Sequence, residues 1–593
     1  MKTECGLIGT FINNPITKKD LWYTLAEIQH RGQDSYGFVS IHSNNSNETG
    51  FEAKIKKEKG LLPDIDSLDL YGGSDGSDGS DGSDGSGGSG GSDGSDGSDG
   101  SGGSDGSGGS DGNGMLFLGH MRYSTNTTVE NLDESFTECN IQPVEISKEY
   151  GIYIAHNGNL PNLKNNMRLL GLEQYYKNGM SDTYLFKIIW NIKFAGKFKQ
   201  ECKTCKLEDI LEYLKYIVLN VVGAYSCVMT FCEPSINLLA STTRTNNDVS
   251  NDVSNDVSNN KHKYYLLGFR DRYGYKPLSI GKLVSNAGAS NNSSRMNYCF
   301  FSESVQLQDN KYFIRDIAPG EIWYSEMNNE PRLLGRISDK TNNAMGFLCS
   351  LEAIYFMKKD TLLFNGNTTV NIFRQRLGIE LGTQDINNLA YALKSANTTN
   401  PNEYIYEYVA TRILKKRVIL YMPESAYGIA QGYSTILGTC VRNDLIFKVQ
   451  NIRSFIENTT EAREGKLKRK FAFNDEGITA LGNAEIVLID DTIVRGNSMQ
   501  YVIGELYKRN PALNIHVRIG SPRLIKGCSF GIDLYDDELI AAKEPDLAKW
   551  LGIASVEFLD ISILKEIFEK YGMMNCQYCF GVSNKYNTKT LEW

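Results

Sequence analysis

The 593-residue chain has no run of 18 consecutive apolar residues, so nothing in it reads as a membrane-spanning helix. Its first 20 residues lack the basic start and apolar middle of a secretory signal. A soluble, cytoplasmic protein with no membrane partner is therefore expected. There is no basic excess either: Lys and Arg number 62 against 71 Asp and Glu, and aromatics are not interleaved with the cations, which argues against a nucleic-acid partner. Histidine is scarce, at six residues, and the spacing of His30, His120 and His156 fits no zinc template. The acidity is local. Residues 72–114 hold nine Asp and no Lys or Arg, and without them the formal charge of -9 becomes zero, so the balance says nothing about partners. Twelve cysteines in a long intracellular chain mean buried thiols, metal ligands or a nucleophile more than disulfides.

The length predicts two to four domains. Residues 72–114, a Gly/Ser/Asp repeat, and 246–260, where Asn-Asp-Val-Ser recurs, carry no apolar face to bury, so both read as disordered loop inserts. Loop closure costs little per added residue, and the interrupted fold tolerates them. Up to about 325, short apolar runs at 5–11, 37–41, 115–120, 152–156, 225–231 and 264–268 read as strands. Three- and four-residue apolar spacing at 20–29, 182–192 and 207–219 reads as helices. Layered α+β structure follows. From about 347 the texture alternates, with apolar runs at 418–422, 445–449, 485–489 and 515–519 separated by helix-like stretches such as 498–508. That alternation implies a parallel α/β sheet, whose ligands bind beyond the C-terminal ends of its strands.

After Ile489 come Asp490, Asp491, Thr492, Ile493, Val494, Arg495, Gly496, Asn497 and Ser498. Adjacent carboxylates suit ribose hydroxyls and a hard cation. A Gly and backbone amides opening a helix cradle a phosphate. An ordinary Asp-Asp turn with a helix cap is the plain alternative. The stretch Pro423-Glu424-Ser425-Ala426-Tyr427-Gly428 could aim amides at a diphosphate. The basic run Arg453, Arg463, Lys466, Lys468, Arg469 and Lys470 could form a lid, or a solvated charged face. Near the start, Cys5-Gly6 opens the first apolar run. If residues 1–4 are removed, Cys5 carries both a thiol and a free α-amine able to take its proton. Three strings follow in order: His30-Arg31-Gly32-Gln33-Asp34-Ser35, Gly119-His120-Met121-Arg122-Tyr123-Ser124-Thr125, and His156-Asn157-Gly158-Asn159-Leu160. Ser181-Asp182-Thr183 comes last.

The first set of strings, with Cys5, resembles the N-terminal-nucleophile (Ntn) glutaminase domain. The string around Asp490 resembles the phosphoribosyl pyrophosphate (PRPP) loop of type I phosphoribosyltransferases. Together they resemble the glutamine PRPP amidotransferase (amidophosphoribosyltransferase) family. Further family-like strings are Gly268-Phe269-Arg270-Asp271, Lys276-Pro277-Leu278, Ser302-Glu303-Ser304, Ile317-Ala318-Pro319-Gly320-Glu321 and Phe373-Arg374-Gln375-Arg376-Leu377-Gly378. The resemblance implies a propeptide at 1–4, an αββα glutaminase domain at 5–325 and an α/β phosphoribosyltransferase domain at 326–593 with a cysteine-bearing C-terminal extension.

By the resemblance, Cys5 attacks the glutamine amide while Asn157 and Gly158 donate to the oxyanion. Arg31, Arg122, Thr125 and Asp182 hold glutamine. PRPP falls to Asp490, Asp491, Val494, Arg495, Gly496, Asn497, Ser498, Glu424, Ser425 and Lys468, with Mg2+ at the two aspartates. Ammonia released at the first site converts PRPP to 5-phosphoribosylamine at the second, the first committed step of purine synthesis. One branch of the family carries a [4Fe-4S] cluster, whose ligand neighbourhoods match Cys349, Cys528, Cys576 and Cys579; Cys202 and Cys205 have the same spacing as the last pair and read as surface thiols. Purine nucleotide feedback inhibitors and a homo-dimer or homo-tetramer are also implied. Two alternatives stay open: another glutamine amidotransferase of the same class, and a PRPP-sensing regulator with an inactive glutaminase half.

Overall fold

Side chains along β1 (Gly6–Ile12) alternate between two apolar layers: Leu7 and Phe11 face one core, Ile8 and Ile12 another. The computed structural model describes residues 5–12, 18–44, 47, 49–67, 115–122, 140–201, 204–234, 262–283, 297–306, 313–327, 329–337, 346–396, 406, 409, 413–449, 470–528, 530–532 and 534–582. Residues 1–4, the inserts at 72–114 and 246–260, Thr125, Cys202 and the basic run through Lys468 lie outside these.

The strands of the first half are β1, β2 (Ser35–Ser43), β3 (Phe51–Lys59), β4 (Met115–Arg122), β5 (Val144–Ser147), β6 (Ile152–Asn159), β7 (Ala224–Glu233), β8 (Lys263–Arg270), β9 (Ser279–Leu283), β10 (Asn297–Phe301), β11 (Phe313–Asp316), β12 (Glu321–Glu326) and β13 (Arg332–Arg336). They form two antiparallel sheets, ordered β11-β9-β10-β1-β4-β2-β3 and β13-β12-β8-β7-β6-β5. Val39, Leu118, Tyr153, Ala155, Val228 and Leu266 fill the space between the sheets. A Cβ on Gly9 would stand 2.5 Å from Val228 Cγ1, so that close approach needs glycine. Helix Lys18–Glu27 covers the outer face of the first sheet through Leu21 and Leu25. Helices Tyr184–Ile189 and Leu207–Asn220 cover the second through Phe186, Ile189, Tyr213 and Ile217. The first half is thus a four-layer helix–sheet–sheet–helix sandwich, and it runs past 325, because β13 still pairs with β12.

The second half contains β14 (Gly346–Cys349), β15 (Leu362–Leu363), β16 (Thr368–Thr369), β17 (Val418–Tyr421), β18 (Ile446–Lys448), β19 (Phe471–Phe473), β20 (Glu485–Asp490), β21 (Asn514–Ile519), β22 (Ser555–Phe558) and β23 (Met573–Cys576). Its parallel sheet is ordered β17-β20-β21-β22. Helices Val370–Ala396 and Tyr427–Leu437 pack on one face against Ile419, Val487 and Ile489; helix Asn497–Arg509 packs on the other against Ile486, Leu488 and Val517. The apolar run at 445–449 does not enter this sheet: β18 pairs antiparallel with β19 as a separate ribbon. β14 and β23 pair in parallel, bringing Cys349 opposite Cys576. No helix among the described residues is long and apolar enough to cross a membrane.

Helices Val370–Ala396 and Tyr427–Leu437 approach so closely that Cβ atoms on Gly378 and Gly432 would run into the backbones at Ile429 and Gln375. Gly432→Val should therefore lower stability by about 1–3 kcal/mol or more, read as a drop in denaturation midpoint. An unchanged midpoint would show that the helices can separate freely.

Candidate active sites

At one end of the sandwich, β1 begins where β4 ends. Gly6 pairs with Met121 and Leu7 with His120, which places Cys5 and Arg122 side by side in the strand register. Cys5 is buried, and its carbonyl accepts a 2.9 Å hydrogen bond from Arg31 Nε. Gly32 lies against the end of β4, where any side chain would collide with the Met121 and Arg122 backbone. Arg31 does not present a free guanidinium to a substrate. It is buried, with one terminal nitrogen on Glu303 Oε1 at 2.5 Å and the other on Glu352 at 3.1 Å. Burial alone would raise the Glu303 carboxyl, but His30 and Arg31 hold it well below the usual range.

The second sheet supplies the facing wall. His120 Nε2 donates to the His156 carbonyl at 3.2 Å, so the ends of β4 and β6 meet. Asn157 follows in β6 opposite Ser226; it is fully buried, and neither its amide nitrogen nor its amide oxygen has a hydrogen-bond partner among the described residues. A buried, unsatisfied amide costs stability and survives where a ligand completes it. Gly158, at φ 148°, abuts the Ala224 carbonyl, leaving no room for a Cβ. Asp182, ahead of helix Tyr184–Ile189, accepts from Leu160 N at 3.0 Å, and His156 Nδ1 lies 3.8 Å from its Oδ1. The ends of β1 and β6 and the start of helix Tyr184–Ile189 thus carry a thiol, an unsatisfied amide and a carboxylate, the parts needed to attack a carbonyl and hold an ammonium.

The other candidate site lies at the C-terminal ends of the parallel strands, as the sequence predicts. Met422 N donates to the Ile489 carbonyl at 2.8 Å, and Gly520 N to that of Asp490 at 2.9 Å, so three strand ends form one rim. Asp490 is partly exposed; Asp491 is buried, takes the Thr492 hydroxyl at 2.9 Å on Oδ1 and has no hydrogen-bond partner on Oδ2 among the described residues. Burial raises both carboxyls; Asp491 adds to the rise at Asp490, while Ser425 and Arg374 counter it at Asp491. Val494 is buried and Gly496, at φ 77°, starts helix Asn497–Arg509, with Asn497 exposed and Ser498 half-buried at its N-terminus. Any Cβ on Gly496 would meet the Trp550 ring at 2.7 Å. Glu424 is exposed on the neighbouring loop. Arg495 pairs with Glu538, beside an open cleft of about 360 Å³.

Four cysteines from distant segments converge under the junction of the halves. Cys349 and Cys576 are register partners. The Cys579 carbonyl takes the amides of Ile525 and Lys526 at 2.9 and 3.1 Å, drawing in the segment that leads to Cys528. Burial, then the neighbouring thiols, raise the Cys349 and Cys579 thiols well above their usual range. The amides of Phe530 and Gly531 donate to Cys528 Sγ at 3.4 and 3.5 Å. Tyr275 stacks on Phe530 at 4.8 Å, and Phe347 and Tyr578 complete an apolar wall. No three His, Cys, Asp or Glu among the described residues close around a single metal ion. Cys205 is not a surface thiol: it is buried in the core beneath helix Leu207–Asn220, because the residues ahead of that amphipathic helix turn inward with its apolar face.

The charged residues at the junction, Glu303, Glu352 and Lys276, have no role in the sequence reading beyond lying in family-like strings, Glu352 in the one that follows Cys349.

No protein-family model matches the chain. Over 564 residues it is 26% identical to the amidophosphoribosyltransferase of Pyrococcus horikoshii, covering 94% of this chain and 92% of the relative. It is 23% identical over 566 residues to that of Escherichia coli (94% and 88% covered) and 23% identical over 595 residues to the chloroplastic one of Vigna aconitifolia (99% and 91%). Among solved structures, the glutamine PRPP amidotransferase from B. subtilis complexed with ADP and GMP superposes with a TM-score of 0.63 at 20% identity, covering 98% of this chain and 97% of that one. The chain therefore has that fold.

Replacing Asn157 by the similarly shaped Leu should raise the melting midpoint, since the amide now costs about 1–3 kcal/mol without a partner. A lower midpoint would mean the amide is already satisfied. Burial drives the His120 imidazole down to about 3 and lowers that of His156. The unfolded chain takes up these protons below about 6.5, so stability present above that pH is lost as pH falls toward 3. His120→Gln should flatten this acid-side slope in thermal melts.

Proposed function

We infer that this chain belongs with the amidophosphoribosyltransferases and makes 5-phosphoribosylamine, glutamate and diphosphate from glutamine and PRPP, the first committed step of purine synthesis. The observation that carries the reading is the coexistence of two sites in a chain similar over nearly its whole length to such enzymes: a buried thiol at the start of β1 with an unsatisfied buried amide in β6, and paired carboxylates before a glycine-capped helix. The helix–sheet–sheet–helix sandwich is read as the Ntn glutaminase and the parallel α/β unit as the phosphoribosyltransferase.

With residues 1–4 removed, the α-amine of Cys5 takes the thiol proton, directly or through a water. The sulfur attacks the glutamine carboxamide carbon; the Asn157 amide and Gly158 N–H receive the oxyanion. The amide nitrogen leaves as ammonia with the returned proton, and water hydrolyses the glutamyl thioester to glutamate. Asp182 holds the substrate ammonium, and Arg122 its carboxylate. Ammonia stays inside the protein, since protonation in bulk water would remove its nucleophilic lone pair. At the second site its nitrogen bonds to ribose C1 as the C1–O bond to diphosphate breaks. Asp490 and Asp491 hold the ribose, and amides at 494–498 the 5′-phosphate.

The unpartnered Asp491 Oδ2 beside Asp490 fits a hard divalent cation, whose remaining ligands the substrate's phosphates would supply. Mg2+ there supplies charge neutralisation for the diphosphate. The convergence of Cys349, Cys528, Cys576 and Cys579, with amides aimed at sulfur, fits thiolate ligation of a [4Fe-4S] cluster. Such a cluster supplies a cross-link among segments far apart in sequence. The purine nucleotides in the B. subtilis structure support feedback control by the same class of ligand.

Cys5→Ala should abolish glutamine-dependent product formation and retain the ammonia-dependent reaction; equal loss of both contradicts two separate sites. Anaerobically purified protein should absorb near roughly 400 nm, as thiolate-bound iron does. A colourless, iron-free preparation of native activity would remove the cluster from the reading.

A further inference from the structure

We propose that Glu352 is a positioning residue for the Cys5 nucleophile, acting through Arg31 across the junction between the two halves. The proposal rests on the reading of Cys5 as the thiol that attacks the amide. Glu352 is fully buried on the short helical turn Glu352–Phe356, just after β14. Both its oxygens face one terminal nitrogen of Arg31, at 3.1 and 3.3 Å. The other terminal nitrogen binds Glu303, which follows β10 of the seven-stranded sheet, and Nε binds the Cys5 carbonyl. A guanidinium is planar, so fixing two of its edges fixes the third. One of those edges is held from each half of the molecule, and the third holds the main chain of the nucleophile.

Charge makes the clamp specific. Arg31 and Lys276 face Glu303 and Glu352 in a buried set of two cations and two carboxylates; Lys276 Nζ lies 3.5 Å from Glu352. Glu303 is further anchored by His30 Nε2 at 3.0 Å, the Lys358 amide at 2.9 Å and the Thr361 hydroxyl at 2.7 Å. Glu352 has no comparable anchor on a main-chain amide among the described hydrogen bonds, so its geometry depends on Arg31 and Lys276. Lys276 also sits against Gly531, where a Cβ would come within 2.6 Å of its Cε and whose amide donates to Cys528 Sγ. The nucleophile and the four-cysteine region therefore lie on one chain of buried charges, with Glu352 as the link that crosses between halves.

The test is Glu352→Gln in the full chain, with loss of residues 1–4 verified by intact mass. Neutralising the carboxylate should lower kcat for the glutamine-dependent reaction about tenfold or more, leave KM for glutamine within about twofold and leave the ammonia-dependent rate within about twofold. Labelling of Cys5 by a glutamine-mimicking diazoketone should slow in parallel with kcat. Arg31→Lys, whose single ammonium cannot bridge three acceptors, should show the same split and decides the matter if Glu352→Gln does not fold. Equal loss of both activities, or unchanged labelling and turnover, overturns the proposal. Glutamine turnover surviving in Cys5→Ala would instead overturn the functional reading on which it rests.

Discussion

Burying a guanidinium is unfavourable unless carboxylates meet it with good geometry, and the first half of this chain accepts that constraint at Arg31. The acceptors come from residues hundreds of positions away: Glu303 meets the charge within the first half, and Glu352 adds a second carboxylate from the other half. The start of β1 is thereby tied to the segment that opens the second half. An apolar junction of the same area could slide; one built on forked hydrogen bonds has a single register.

Local order on each side of that junction comes from simpler forces. The central strands of the sandwich, such as β1 and β7, have both faces buried, one against the opposing sheet and one against helices, and their side chains sort by period two. Glycine marks the places where this packing leaves no room: Gly9 between sheets, Gly158 against β7, Gly432 between helices. In the parallel unit the strand ends are left uncovered, and the carboxylates of Asp490 and Asp491 gather there.

Much of this was legible in the sequence. The doubly buried strands announce themselves as continuous apolar runs, and the carboxylate pair, the glycine and the helix start are local to one turn. What escaped depended on long-range pairing. The run at 445–449 has the composition of a sheet strand, but its partner is Phe471–Phe473, so it forms a ribbon of its own. β22, Ser555–Phe558, is an edge strand with every residue half-buried, and its pattern is correspondingly weak. Glu352 lies in an apolar stretch without a spacing signature; its meaning resides in Arg31, 321 positions away. The resemblance gives Arg31 as a glutamine contact, and only its burial on Glu303 and Glu352 shows that its guanidinium is already engaged. Cys205 reads as a surface thiol in the sequence because the inward turn before its helix leaves no local signal.

The parallel pairing of Gly346–Cys349 with Met573–Cys576 has a consequence for biosynthesis. A ribosome releases the chain from its N-terminus, and β14 emerges more than two hundred residues before its partner. Through that interval Cys349 has no opposite number and the face bearing Phe347 and Tyr275 stays uncovered. Assembly of the cysteine region is therefore a late event of synthesis, and the intermediate that precedes it is the species for which a chaperone has a surface to hold.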